Sequence, residues 1–212
     1  MKISIVYDNT AYLSSLRPDW GFACVIEDPV LPRILFDTGA NGRILLFNMN
    51  ELGIDPQSID IVFISHAHFD HAGGLQDFLQ ANSQALVYVP SSFRAVRQPN
   101  LSVVVKAGEI AEHAYSTGEL AGIEQSLIVQ AGSKNVLITG CSHPGLESIL
   151  QAADQFGRVQ GIVGGLHGFA AFELLTDIQW ICPTHCTQHK AEIESSYPEK
   201  YIPGGAGQTI SL

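Results

Sequence analysis

Residues 64–75 read ISHAHFDHAGGL and place three histidines and one aspartate within six positions, directly after the apolar run IDIVF. His66 and His68 are two positions apart, so at the end of an extended segment they project to the same side. Asp70 and His71 follow where the chain turns toward a glycine-led helix. This loop therefore presents two pairs of ligand-type side chains, and imidazole together with carboxylate suits zinc, iron or manganese. We interpret it as a metal-binding loop at the end of a buried strand.

Three later segments repeat this pattern of a strand-like run that ends in a histidine beside Gly, Ser or Pro. They read NVLITGCSHPG, QGIVGGLHG and IQWICPTHCT, and their histidines are His143, His167 and His185. A single histidine at a strand end is usually structural. A catalytic zinc ion commonly has about three protein ligands, so the first loop needs partners. The three histidines together favour one shared metal site built from several loops.

The composition is that of a folded domain. The chain has 212 residues, of which 46% are hydrophobic and 15% charged. We expect a single domain over residues 1–212, and the low charge content disfavours disorder. The longest apolar runs are much shorter than the roughly 20 residues of a membrane span. No signal-peptide pattern is present at the start, so we expect a cytoplasmic protein without a membrane partner.

The charge balance and the cysteines bear on the partners and ligands that the protein can bind. The net charge is −10 and the Lys and Arg residues are scattered, which disfavours a nucleic-acid partner and suits the binding of cations. The four cysteines do not form a disulfide framework and should be reduced in the cytosol. Cys141 and Cys186 flank candidate ligand histidines, and we interpret both as small packing residues, with metal ligation as the alternative.

Short β-branched and apolar segments bounded by Gly, Pro, Asn or Asp predict ten strands. They are Lys2–Tyr7, Phe22–Glu27, Arg33–Phe36, Ile59–Ser65, Ala85–Val89, Leu101–Val105, Ser126–Gln130, Asn135–Thr139, Gln160–Val163 and Ile178–Cys182. Helical spacing predicts helices over Gly42–Leu52, Gly73–Ala81, Pro144–Phe156, Ala171–Leu175 and Lys190–Ser195. Two mixed sheets packed face to face, with helices outside, would bury this many apolar strands, which is an α+β fold. Alternation alone does not fix the topology.

The motifs resemble those of the metallo-β-lactamase superfamily of binuclear metallohydrolases. The H-x-H-x-D-H loop at residues 66–71 is similar to the superfamily's signature, and LFDTG at residues 35–39 is similar to its upstream segment. The GCSH, GGxH and THC loops resemble one subfamily, that of archaeal dihydropterin–ribofuranosylaminobenzene-phosphate synthase and its bacterial relatives. The resemblance covers nearly the whole chain, including the glycine-rich end GGAGQTISL.

The resemblance implies a four-layer αβ/βα sandwich with two metal ions at one edge. It also implies which side chains hold them. His66, His68 and His143 would bind the first ion, Asp70, His71 and His185 would bind the second, and Asp37 would support the histidine loop from behind. Zinc is the expected ion, with iron and manganese as alternatives.

The chain departs from the superfamily pattern in two places. Many members place a bridging aspartate where this chain has His167, and neither Asp154 nor Asp177 fits that place. His167 would either ligate the second ion or hydrogen-bond the substrate, and the interpretation favoured here is a ligand or near-ligand. Only seventeen residues separate His167 from His185. Because this connection is short, the resemblance does not determine which substrate the chain acts on.

These observations predict a metal-dependent hydrolase that uses Asp70 and His167 as catalytic side chains on an ester or phosphoester-type small molecule. A synthase-like condensation on a phosphorylated pterin-type substrate is the first alternative, and a non-catalytic metal-binding module is the second. A redox protein is disfavoured, because diiron members of the superfamily carry Glu where this chain has His68.

Substrate contacts are expected outside the ligand loops. His189 follows the THC loop, and Arg94, with Arg97, could meet an anionic group of the substrate. The polar stretch Gly108–Glu119 is expected to be a loop that acts as a flap beside the site, because such loops carry specificity. His113 lies in this stretch and is expected to be a surface residue. The sequence makes no prediction of oligomeric state.

Overall fold

The computed structural model describes residues 1–94 and 99–212 as two β-sheets that pack face to face. We number the strands β1 to β13 along the chain. The first sheet has seven strands, in the spatial order β13 (Thr209–Ser211), β1 (Lys2–Tyr7), β2 (Ala23–Glu27), β3 (Ile34–Phe36), β4 (Ile61–Phe63), β5 (Leu86–Pro90) and β6 (Leu101–Val104). The pairs from β3 to β6 are parallel and the remaining pairs are antiparallel, so this sheet is mixed.

The second sheet has six strands and is also mixed. Their spatial order is β12 (Trp180–Thr184), β11 (Val159–Gly165), β10 (Lys134–Thr139), β9 (Leu127–Ala131), β8 (Ala114–Ser116) and β7 (Gly108–Ala111). β10, β11 and β12 are parallel neighbours, and the other pairs are antiparallel. Because parallel strands end at the same edge of a sheet, the loops after β10, β11 and β12 lie side by side.

Helices cover the outer faces of both sheets. The α-helices are α1 (Gly42–Glu51), α2 (Phe69–Ala72), α3 (Leu75–Ala81), α4 (Leu146–Ala153) and α5 (Lys190–Ser196). Short 3-10 helices span Pro56–Ser58, Asp154–Phe156 and Phe172–Leu175. Asn41 begins α1, because its side chain accepts a hydrogen bond from the backbone N–H of Arg43 at 3.0 Å. None of the helices in the described parts of the chain has the length and apolar character needed to cross a membrane.

Three apolar clusters fill the spaces between the layers. The central one joins the facing sides of the two sheets, where Phe36 and Phe63 stack with ring centroids 5.5 Å apart. A second cluster lies between the first sheet and helices α1 and α3, and a third lies between the second sheet and helices α4 and α5. This arrangement confirms the predicted α+β fold of four layers.

The predicted elements agree with the structure over most of the chain. All ten predicted strands are present, with ends that differ by two residues or fewer. The predicted helix Gly73–Ala81 is shorter, because the histidine loop forms α2 before α3 begins. Residues 154–156 and 172–175 are 3-10 helices instead of α-helix.

Strands β7, β8 and β13 were not predicted, and the expectation of a loop over Gly108–Glu119 was wrong. The stretch Gly108–Glu119 is not a loop over most of its length, because β7 and β8 form an antiparallel hairpin that extends the second sheet through β9. The sequence did not predict β7 because its residues are only partly buried and contain no apolar run. β13 has only three residues, too few for a pattern to show.

Candidate metal centre

The loop after β4 brings the first four predicted ligands to the sandwich edge. His66 follows the strand directly, and His68 precedes helix α2. Asp70 and His71 lie within that helix and are buried. The short helix turns the chain, so that the two pairs of side chains face different loops of the second sheet.

The first group of donor atoms consists of His66, His68 and His143. One ring nitrogen from each lies within 4.8 Å of the others. Nε2 of His66 is 3.1 Å from Nδ1 of His68. The ring centroid of His143 is 4.7 Å from that of His66 and 4.8 Å from that of His68. The GCSH loop after β10 therefore completes this group.

The second group consists of Asp70, His71 and His185. Oδ2 of Asp70 is 3.2 Å from Nε2 of His185 and 4.0 Å from Nε2 of His71. Nε2 of His185 is buried and, although Oδ2 of Asp70 lies 3.2 Å away, it makes no well-aligned hydrogen bond in the described structure. A buried polar atom without a partner is costly, and a cation held here would satisfy it. The donor set of two imidazoles and one carboxylate suits zinc.

The two donor groups are adjacent, because a histidine of one packs against a histidine of the other. The ring centroids of His66 and His71, one from each group, are 4.2 Å apart. Six side chains therefore converge at one edge of the sandwich, and we call them the six-residue centre: His66, His68, Asp70, His71, His143 and His185. The structure brings together all six residues that the sequence analysis assigned to the two metal ions.

Asp37 supports this centre from behind, at the position expected. Its Oδ1 accepts the backbone N–H of Ser65 at 2.7 Å, and its Oδ2 accepts the Ser65 hydroxyl at 2.7 Å. Nδ1 of His71 also donates to Oδ2 at 2.7 Å. With Nδ1 protonated, Nε2 of His71 carries the lone pair that faces the second group.

Glu124 has the corresponding role for His143, and the sequence analysis missed it. Its carboxylate accepts Nδ1–H of His143 at 2.8 Å and the backbone N–H groups of Gly140, Cys141, Ser142 and His143 at 2.9–3.2 Å. Burial by itself would raise the pKa of Glu124, but these hydrogen bonds outweigh burial and lower the pKa to about 2. The same contact raises the pKa of His143. A single Glu before β9 carries no motif that would reveal this function.

Two residues after β1 hold His185 and were also missed. Nδ1 of His185 contacts Oδ1 of Asn9 at 2.9 Å, and the amide of Asn9 donates to the His185 carbonyl at 3.1 Å. The backbone N–H of His185 donates to Oδ1 of Asp8 at 2.8 Å. These contacts aim Nε2 of His185 at Asp70. No sequence signal links positions so far apart.

Burial and neighbouring charges keep three of the candidate ligands, His66, His71 and Asp70, in the protonation states that metal binding requires. Burial lowers the pKa of His66 and His71 to about 3, so both imidazoles are neutral at physiological pH. Burial by itself would raise the pKa of Asp70, but its contacts with His185 and His71 hold the pKa well below its usual range. Trp20 adds a hydrogen bond from its indole N–H to Oδ2 of Asp70 at 2.9 Å.

Comparison with known families agrees with this geometry. Residues 25–185 match the family model of the metallo-beta-lactamase superfamily. The chain belongs to the metallo-β-lactamase superfamily. The resemblance seen in the sequence motifs is therefore confirmed.

Relatives in the superfamily cover almost the whole chain. It is 25% identical to an uncharacterized protein of Methanocaldococcus jannaschii, over 99% of this chain and 100% of that protein. It is 24% identical to the 7,8-dihydropterin-6-methyl-4-(beta-D-ribofuranosyl)-aminobenzene-5'-phosphate synthase of the same organism, over 89% of this chain and 88% of the synthase.

Solved structures share the fold. The structure of Tm1679, a metal-dependent hydrolase of the beta-lactamase superfamily, aligns with a TM-score of 0.77 and 24% identity, over 100% of this chain and 99% of the other. The zinc-bound PqqB of Methylobacterium extorquens aligns with a TM-score of 0.65 and 13% identity, over 100% of both chains. At these identities the likeness shows the metallo-β-lactamase fold.

His167 was predicted as a ligand or near-ligand of the second ion or as a substrate contact, and among the described residues it lies beside the two donor groups without belonging to either. Within residues 1–94 and 99–212, its ring nitrogen groups with the sulfur atoms of Cys141 and Cys186, and not with Asp70, His71 and His185. The strand order explains this position, because β11 lies between β10 and β12, and both of those strands lead into cysteine-bearing loops. The ring of His167 also lies 4.8 Å from that of His143.

The alternative carboxylates do not reach the centre either. Asp154 is exposed in a 3-10 helix, and Asp177 forms a surface ion pair with Arg158 at 2.8 Å. The connection between β11 and β12 is as short as the sequence indicated and holds the 3-10 helix Phe172–Leu175.

A cavity of about 350 Å³ opens beside the centre. The loops after β10 and β11 line it with His143, Leu146, Leu166, His167 and Phe169, among others. Its wall is largely apolar, with two imidazoles at one side. Of the six-residue centre, His143 lines this cavity.

The predicted substrate contacts His189 and Arg94 do not line this cavity. His189 instead precedes helix α5 and contacts Oε1 of Glu192 at 3.2 Å. Arg94 is exposed, and Arg97 lies outside the described residues. His189 and Arg94 were predicted as substrate contacts from their positions in the chain alone, and chain position does not determine the direction of a side chain.

Proposed function

We propose that this protein is a metal-dependent hydrolase that acts on an ester or phosphoester-type small molecule. One observation carries the proposal: two donor groups of three residues each lie next to one another, and a cavity opens beside them. This arrangement fits a binuclear hydrolytic centre better than a structural metal site, because structural sites are usually closed by four protein ligands, about four Cys or His per ion.

The six-residue centre fits two divalent ions, with zinc the expected metal. His66, His68 and His143 would hold one ion, and Asp70, His71 and His185 would hold the other. When bound, two such ions supply a water of lowered pKa and polarise the carbonyl or phosphoryl oxygen under attack. The unpartnered Nε2 of His185 supports the second assignment.

The surrounding residues fix the orientation of the ligands. Asp37, Glu124 and Asn9 each contact the outer ring nitrogen of one histidine at 2.7–2.9 Å. These contacts select the tautomer whose other nitrogen faces the centre and prevent the ring from rotating. The geometry is therefore set before an ion or a substrate arrives.

Asp70 is the catalytic carboxylate in this proposal. It remains ionised, and its contacts with Trp20, His71 and His185 all involve Oδ2. Oδ1 would accept a proton from the attacking water. Trp20 holds the carboxylate plane by its bond to Oδ2.

The cavity selects the substrate. Its apolar wall suits an uncharged portion of a small molecule, which would lie against Leu166 and Phe169 while the reacting group meets His143. His167 stands on the same wall and would contact the bound molecule.

A synthase-type condensation is the second candidate, and one observation favours it. The synthase relative from Methanocaldococcus jannaschii aligns over 89% of this chain. In that case the same six residues would orient a phosphorylated substrate for attack by an organic nucleophile instead of water. A panel of phosphoesters, carboxylic esters, lactones and thioesters distinguishes the two, because only a hydrolase consumes such compounds without a second substrate.

The test of the hydrolase proposal uses His68→Ala. Loss of one of three ligands should remove the first ion and reduce turnover of any panel substrate by about 100-fold or more. The far-UV circular dichroism spectrum should not change. His113→Asn is the control, since His113 lies in the β7–β8 turn with an exposed side chain. A His68→Ala variant that is metal-free and fully active would refute the proposal.

A further inference from the structure

Three donor atoms outside the six-residue centre lie together beside it. They are Sγ of Cys141, a ring nitrogen of His167 and Sγ of Cys186, all within 4.8 Å of one another. Each comes from a different loop, after β10, β11 and β12. We propose that they form a third metal site, of the Cys₂His type, for zinc or another thiolate-preferring ion.

The backbone of all three loops adopts a conformation that side chains rarely take. Ser142, His167 and His185 have φ values of 61°, 47° and 46°. Such left-handed conformations are unfavourable for residues other than Gly and cluster at functional sites. In each loop the strained residue is one of the three donors or the neighbour of one, so the surrounding structure imposes an unfavourable backbone where the donors meet.

Gly165 leaves the space in which the two sulfur-bearing loops meet. A Cβ at this position would lie 2.7 Å from Sγ of Cys186 and 3.3 Å from Cα of Cys141. It would also lie 2.4 Å from the carbonyl oxygen of Gly140. Only glycine therefore allows these loops to approach so closely.

Cys141 and Cys186 lie apart from the three apolar clusters, which favours the metal-ligation alternative over the packing interpretation made from sequence. Cys24 and Cys182 belong to the apolar cluster between the sheets. Cys141 and Cys186 belong to none of the three apolar clusters. Sγ of Cys141 contacts Nε2 of His71 at 3.1 Å instead. This sulfur atom therefore lies beside a candidate ligand nitrogen instead of an apolar side chain.

The donor set determines which ions fit. Two thiolates and one imidazole prefer zinc, copper(I) and similar ions over magnesium or manganese, which prefer oxygen. Metal binding displaces the thiol protons. His167 is exposed and lines the cavity, which gives an ion a route to the site. The contact between Cys141 and His71 makes the proposed site a direct neighbour of the second donor group.

Cobalt(II) titration tests the site without any activity assay. The full-length protein, stripped of metal by a chelator and kept reduced, should bind cobalt with a near-ultraviolet thiolate-to-cobalt absorption. Cys186→Ala and His167→Ala should each bind one equivalent less and lose most of that absorption. Cys182→Ala is the matched control, because Cys182 lies in the core only four positions before Cys186, and it should keep both.

Further variants separate this site from the hydrolytic centre. His68→Ala should lose an ion from the first donor group and keep the thiolate absorption. If the reduced wild-type protein shows no such absorption, the cysteines bind no metal and the proposal fails. It also fails if Cys141→Ala removes the absorption while folded Cys186→Ala retains it, because Cys141 would then ligate an ion of the six-residue centre.

Discussion

At the scale of single residues, the outer hydrogen bonds determine where the ligand atoms point. Glu124 is the clearest example, because one buried carboxylate accepts four backbone N–H groups and the ring of His143. Asp37 and Asn9 repeat this function with fewer contacts. The candidate ligands are thus fixed by residues that never touch the ion.

Replacing Glu124 with Gln should weaken the first donor group without changing any ligand. A side-chain amide offers one acceptor oxygen and places a donor against backbone N–H groups. We expect a 10- to 100-fold loss of affinity for the first ion, about the usual cost of removing an outer partner. Competition with a chromogenic chelator measures it.

Glu147→Gln is the control for that experiment, since Glu147 is exposed in the first turn of α4, close to the same loop. Equal metal affinity in the two variants would show that the Glu124 carboxylate does not orient His143.

At the scale of elements, the close approach of the loops after β10, β11 and β12 depends on Gly165. Gly165→Ala should lower the free energy of unfolding by about 1–3 kcal/mol, the usual range for overpacking. The nearest contact is a backbone carbonyl, which cannot rotate away. Urea denaturation checks this. Gly108→Ala should change little, because a methyl group added there would meet no atom within 4 Å, and equal losses in both variants would contradict the explanation.

The sequence predicted elements and ligands whose signal is local. The ten strands and the six candidate ligands were predictable because β-branched runs and histidines at strand ends are recognisable within a few positions. β7, β8 and β13 are short or half-exposed and carry no apolar run; β7 and β8 form a local hairpin, and β13 pairs with β1 near the other end of the chain. Glu124 and Asn9 were missed because their partners lie 19 and 176 positions away. The loop that carries His167 was predicted, but the neighbours of its side chain depend on the strand order, which the sequence does not show.

At the scale of the whole molecule, the core and the centre are separate. Three apolar clusters join four layers, and none of them contains a residue of the six-residue centre. The folded domain therefore does not depend on bound metal for its burial of apolar surface.

Removing metal should lower stability but preserve the fold. An ion at about 100 times its dissociation constant adds about 2.7 kcal/mol per site to the free energy of unfolding. The chelated protein should unfold at lower urea, in one transition, and its far-UV circular dichroism should match that of the metal-loaded protein. Two separate transitions, or loss of the spectrum on chelation, would contradict this picture.

The link between the first and last parts of the chain has a consequence for protein synthesis. His185 is held by Asp8 and Asn9, which precede it by 177 and 176 positions. Since the ribosome releases the N-terminal part first, the histidine loop after β4 exists long before its partners. Translation that stops before residue 185 yields chains that lack a complete second donor group. Under the proposed function, such incomplete products could not assemble the second half of the six-residue centre.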